Sequence, residues 1–128
     1  MTTDYALINR KVRIRTNITT ADSSAPGCED DFVLTKGCSY IEVNVNGLSG
    51  SEKAKIRPYF LETVDNSVSM ENYVSCGAEL ELSLTNGNTC NISGVNGRPV
   101  YIMVTELTGG ASINIDLAPG RVPPGLNI

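Results

Sequence analysis

The residues of this chain that could carry chemistry are four cysteines, one acidic triplet and one basic stretch. Cys28, Cys38, Cys76 and Cys90 contain no CxxC pair, and the chain has no histidine. A structural zinc site draws on CxxC-like spacing or on Cys/His pairs, so no metal is expected. An even cysteine count in a turn-rich chain fits disulfides, and sequence neighbours give Cys28–Cys38 and Cys76–Cys90. Four cysteines allow three connectivities. Four free thiols, the normal state in a reducing cytosol, are the competing reading. A nucleophilic cysteine needs an adjacent base, and none stands beside these four.

Glu29-Asp30-Asp31 offers carboxylate oxygens of the kind calcium takes, but the EF-hand spacing is absent, and a solvated loop is the expected reading. Asp65 and Glu71 are further loop carboxylates, with nothing in the sequence to set two of them across a cleft. Without histidine the chain lacks the commonest acid–base group and the usual triad base. No GxSxG, P-loop, GxGxxG or HExxH pattern occurs. The expectation is a protein that is not an enzyme and takes no cofactor.

Arg10, Lys11, Arg13 and Arg15 gather four of the ten basic residues, in a chain with 14 acidic residues and a net charge of −4. A local positive stretch on an acidic protein suits docking onto an acidic protein surface. The same charges would also guard a strand edge against aggregation. Arg121 near the C-terminus joins these four as a candidate docking residue. Nucleic acid is not the expected partner, because the chain is acidic overall and no stacking aromatics interleave with the charges. With no Trp, two Phe and five Tyr, exposed aromatic platforms for carbohydrate are scarce. Asn17-Ile18-Thr19 and Asn91-Ile92-Ser93 match the glycosylation acceptor pattern.

These residues must be positioned by strands. Twelve glycines and abundant asparagine imply many turns, and no helix-forming stretch appears. Val12, Ile14, Thr16 and Ile18 share one parity and Lys11, Arg13 and Arg15 the other, which predicts a half-buried strand with a basic outer face. Phe32-Val33-Leu34 predicts a brief strand. Residues 40–45 alternate with Ile41, Val43 and Val45 inward and stop at Asn46-Gly47. Residues 53–64 alternate around Ala54, Ile56 and Phe60, and Pro58 marks that strand as an edge or as bulged. Residues 65–75 read as a polar loop with one helical turn near Met70.

Two hairpins are expected further on. A three-residue loop at 86–88 sets Leu84 opposite Cys90 and Leu82 opposite Ile92. A Gly109-Gly110 turn pairs Val104 with Ile115 and Ile102 with Leu117. Residues 79–117 resemble small secreted jelly-roll modules such as the bacterial pre-peptidase C-terminal domain. The likeness rests on a strand, the Asn86-Gly87 turn, Val100-Tyr101-Ile102-Met103-Val104, the Gly109-Gly110 turn and a last strand. It implies a jelly-roll fold.

The fold expected is all-β: an antiparallel β-sandwich, jelly-roll-like or Ig-like, of about seven or eight strands. Its parts are an N-terminal arm or short edge strand at 1–9, the sandwich at 10–117 and an extended Pro-rich tail at 118–128. No run of apolar residues is long enough to span a membrane as a helix. Met1-Thr2-Thr3-Asp4-Tyr5 has neither the basic start nor the apolar run of a signal peptide. The function expected is that of a virion structural protein, a phage capsid decoration or cement protein or a head or tail accessory. It would be a homo-oligomer located in the virion, docking on a capsid or other shell protein through its arms and basic strand. The alternative is a secreted or cell-surface binding module of glycan or adhesin type.

Overall fold

The computed structural model describes residues 3–6 and 11–120; Arg10, Arg121 and the rest of the expected arms lie outside the described residues. Ten strands and no helix occur among them: β1 (Thr3–Ala6), β2 (Val12–Ile18), β3 (Val33–Leu34), β4 (Tyr40–Asn46), β5 (Lys53–Asp65), β6 (Met70–Cys76), β7 (Leu80–Ser83), β8 (Thr89–Ser93), β9 (Val100–Leu107) and β10 (Ile113–Gly120). One sheet runs β1-β3-β9-β5-β6 with β7 also paired to β5, and the other runs β2-β10-β4-β8. Every pairing is antiparallel except β1 with β3.

The alternation read from the sequence sets the inner faces. Ala54, Ile56, Phe60, Leu82, Val100, Ile102 and Val104 come from the larger sheet. They meet Ile41, Val43, Val45, Ile92, Ile113, Ile115 and Leu117 from the smaller one, all buried in a single core. Burying one such side chain contributes roughly 1.5–3 kcal/mol, so the two inner faces hold the sheets together.

The pairing partners differ from expectation. Leu82 and Ile92 do not face each other in a hairpin: β7 pairs with β5 and β8 with β4, in opposite sheets. Val104 and Ile115 likewise lie in different sheets, since β9 pairs with β5 and β3 while β10 pairs with β2 and β4. Both turns carry the chain across the core. Their apolar pairs are therefore two sides of one interior rather than neighbours in one ladder.

Pro58 does not mark an edge, because β5 is central, with β9 on one side and β6 and β7 on the other. Proline is tolerated there because β7 pairs with Lys53, Ala54, Lys55 and Ile56, and β6 pairs from Tyr59 onward. Pro58 falls in the gap between them, and its carbonyl accepts the Gly77 amide at 2.9 Å. The bulge lies instead between Lys55 and Ile56 in the pairing with β9. The expected loop at 65–75 is mostly strand β6, a return strand along β5. The expected tail starts late, because Ala118, Pro119 and Gly120 continue β10 opposite Glu42, Ile41 and Tyr40. Pro119 lies beyond the last pair with β2, Leu117↔Val12, so one side of the strand needs no ladder there.

Candidate functional site

The basic strand is not a uniform positive face. Its pairing with β10 slips by one residue, with Asp116 opposite Arg13 and the neighbouring Ile115 opposite Arg15, which leaves Ile14 as the extra residue. A one-residue slip turns a side chain to the other face. Arg13 stays outside, where its Nε donates to Asp116 Oδ1 at 2.8 Å and its Nη2 to Oδ2 at 3.3 Å. Asp116 is buried and also accepts Asn46 Nδ2 at 2.6 Å. The hydrogen bonds from Arg13 to Asp116 and that carboxylate's charge push the Arg13 pKa up.

Arg15 reaches instead to the opposite sheet. Its Nη1 donates to Asp22 Oδ2 at 2.7 Å and to the Ile102 carbonyl at 3.1 Å, and its Nη2 donates to Asp22 Oδ1 at 2.8 Å. Its guanidinium lies 5.7 Å from the centre of the Tyr101 ring. The Asp22 hydrogen bonds raise the Arg15 pKa against the opposing effect of burial. Burial also raises the Tyr101 pKa. Beside this pair lies a cleft of about 320 Å³ that Asp30 and Asp31 also line. Asp30 Oδ2 accepts the Gly27 amide at 2.7 Å. Of the expected docking residues that are described, Lys11 is exposed, while Arg13 and Arg15 are held by carboxylates of the same chain.

The surface that sequence reasoning missed is the β5–β6 hairpin. From Thr63 through Tyr73 every residue is exposed. Four apolar side chains stand out there: Val64 at 43%, Val68 at 91%, Met70 at 68% and Tyr73 at 49%. The pairs Glu62↔Tyr73 and Val64↔Glu71 put Val64 and Tyr73 on one face, and Asp65↔Met70 puts Met70 on the other.

The tip is tied by its own polar groups. Asn66 Oδ1 accepts the amides of Val68 and Ser69, at 3.1 and 2.8 Å, and Asp65 Oδ1 accepts the Ser67 amide at 2.9 Å. Such Asx turns suit the left-handed φ of 68° at Ser67. At the base, Glu62 Oε2 accepts Arg98 Nη1 at 2.6 Å and Ser75 Oγ at 2.7 Å, and the Arg98 guanidinium lies 4.2 Å from the centre of the Phe60 ring. The carboxylates Asp65 and Glu71 therefore belong to the hairpin's own bonding: Glu71 Oε1 accepts Asn66 Nδ2 at 3.0 Å. The signal available in the sequence was Val68, Met70 and Tyr73 standing in an otherwise polar stretch.

The expected disulfides are not formed: Cys28, Cys38, Cys76 and Cys90 are all free thiols. Cys76 sits on β6 opposite Tyr59, and Cys90 sits on β8 opposite Val43 in the other sheet. Cys28 is exposed in a loop, whereas Cys38 is buried in the core. Cys76 and Cys90 are thus separated by the crossing of the chain between sheets. Burial raises the Cys90 pKa. Among the described residues no three Cys, Asp or Glu side chains group in a way that could hold a metal. No family model, curated protein or solved structure matches the chain.

Proposed function

We propose that this chain is a non-enzymatic structural protein of a virion, a decoration or accessory subunit that docks on a capsid shell, and that the β5–β6 hairpin makes the contact. The observation that carries the reading is the hairpin itself. Val68 and Met70 stand exposed at its polar-tied end, and Val64 and Tyr73 stand exposed on one face of its strands. Exposed apolar side chains rimmed by polar groups are an ordinary mark of a protein interaction site. The tip also carries Asp65 and Glu71, so the groove that receives it should be apolar with a basic rim.

The fold reading that goes with this is a jelly roll. With β1 and β6 set aside, the remaining eight strands, renumbered in chain order, run 1-8-3-6 in one sheet and 2-7-4-5 in the other. This is the order of two interlocked Greek keys, an architecture used by viral capsid and lectin domains. A fold alone does not assign a function, so the weight stays on the hairpin. Free thiols suit assembly in a reducing cytoplasm.

The second reading, a secreted binding module, draws on the polar cleft beside Tyr101 and Arg15. The test is co-sedimentation of the purified protein with particles assembled from the shell proteins encoded beside its gene. Binding that is lost in Val68→Asp and Met70→Asp supports the proposal. Absence of shell genes, or wild-type protein that stays in the supernatant, overturns it. A glycan array with a specific binder would then point to the cleft.

A further inference from the structure

We infer that β8 is the contact of a two-fold homodimer, in which the β8 edges of two copies pair antiparallel about Asn91. This interface is separate from the hairpin, so the two readings stand or fall independently.

The edge is open. Among the described residues β8 is the outer strand of the smaller sheet and pairs only with β4. It is also unguarded. Natural sheets protect exposed edges with charge, proline or bulges. The opposite edge, β2, has two register shifts and carries Arg13 and Arg15, while β6 and β7 carry Glu71 and Glu81. Thr89-Cys90-Asn91-Ile92-Ser93 has no charge, no proline and no glycine, and its five-residue ladder with β4 is regular.

The second copy fits by parity and by charge. A two-fold axis at Asn91 sets Cys90 opposite the partner's Ile92 and Thr89 opposite the partner's Ser93. Ile92 is buried and Cys90 half-buried toward the core, whereas Thr89, Asn91 and Ser93 are exposed. The pairing therefore joins inner side chains to inner and outer to outer, as a ladder demands. A charge on the two-fold axis would meet its like, which is destabilising, and this edge carries none. The nearest carboxylate on its sheet, Glu42, lies one strand inward opposite Asn91. Two such carboxylates would stand about 14 Å apart across three strand spacings, beyond the screening length of about 8 Å at physiological salt.

Beneath the edge the sandwich is also open. A groove of about 210 Å³ separates Ile92 from Pro58, Phe60 and Leu80 of the other sheet. The partner's Cys90 and Ile92 would extend the apolar layer over its mouth. The two four-stranded sheets would then form one continuous sheet.

Sedimentation equilibrium of the full chain under reducing conditions tests this. Wild type should show a concentration-dependent dimer of the 13.7 kDa chain. Asn91→Lys and Asn91→Asp, each checked for native circular dichroism, should separately weaken the dimer by about tenfold or more, because like charges would meet on the axis. Mixing the two variants should restore dimers, because Lys then faces Asp. A wild-type monomer at all accessible concentrations overturns the inference, as it would if the strand that pairs here belonged to another protein. Dimers that persist in both variants place the contact elsewhere and overturn it too, as does a mixture that fails to associate.

Discussion

The Arg15 guanidinium grips both carboxylate oxygens of Asp22, and Asp22 exchanges two backbone-directed bonds with Val104: its Oδ2 accepts the Val104 amide and its own amide donates to the Val104 carbonyl, each at 2.8 Å. One ion pair therefore ties edge strand β2, the loop after it and strand β9 of the opposite sheet. Burial works to raise the Asp22 pKa, but the hydrogen bonds from Arg15 and Val104 and the Arg15 charge outweigh it, so the pKa falls below the ordinary value. A depressed folded-state pKa contributes stability that is fully present above the unfolded value of about 3.9 and is lost as pH falls toward the folded value. Asp22→Asn should cost about 2 kcal/mol near neutral pH. The difference from wild type should shrink steadily below about pH 4. Urea unfolding at a series of pH values measures both.

The hairpin tip should behave as a surface with no structural duty. Val68→Asp and Met70→Asp should each change unfolding free energy by no more than about 0.5 kcal/mol while abolishing particle binding. Arg13→Glu combined with Arg15→Glu should do the reverse of what a docking patch would. Both arginines hold carboxylates of their own chain, so the double variant should lose stability in chemical denaturation before any binding assay is reached.

Thiol labelling should rank the cysteines by their surroundings. Under native, non-reducing conditions Cys28 and Cys76, both exposed, should alkylate first. Cys90 should follow, because it is half-buried and its pKa is raised and only the thiolate reacts. Cys38 should react only on global unfolding. Mass spectrometry after denaturation without reductant should find four alkylated sites. Any pair resistant to labelling would mean a disulfide.

Gly47 ends β4 with a φ of 104°, and a Cβ there would overlap the carbonyl oxygen of Ser112. Backbone atoms cannot rotate away, so Gly47→Ala should cost about 2–4 kcal/mol. Gly50→Ala is the control: its φ is 57° and no atom lies near the added Cβ, so only about 1 kcal/mol of backbone strain is expected. Thermal unfolding of the two variants separates the clash from the strain.

What the sequence made legible was the side of each strand that faces inward. Residues 40–45 were bounded closely, and Ile41, Val43, Val45, Ile102 and Val104 are buried as their parity requires. What it hid was the neighbour. Period two records that Leu82 and Ile92, or Val104 and Ile115, share an interior. It does not record whether they share it side by side or across a core, and the short turns between them suited either. β6 was hidden for the opposite reason: Met70, Glu71, Asn72 and Tyr73 are exposed on both faces, so backbone pairing with β5 defines the strand without any alternation. The basic stretch misled because its partners, Asp22 and Asp116, sit in a later loop and in the last strand. A bulge at Ile14 then turned Arg15 off the face its parity implied.

Strand β10 lies between β2 and β4, although almost the whole domain separates it from β2 in the chain. On a ribosome, β4 can pair with β8 once residues 89–93 emerge, but β2 has no ladder partner among the described strands until residues 113–120 follow. The smaller sheet therefore closes only when its middle strand arrives, and the apolar faces waiting for it stay uncovered throughout synthesis. Such long-range closure makes folding slow and leaves the nascent chain open to aggregation. Completion of the sheet becomes a checkpoint: a truncated product lacks the middle of its wall and cannot close its sandwich.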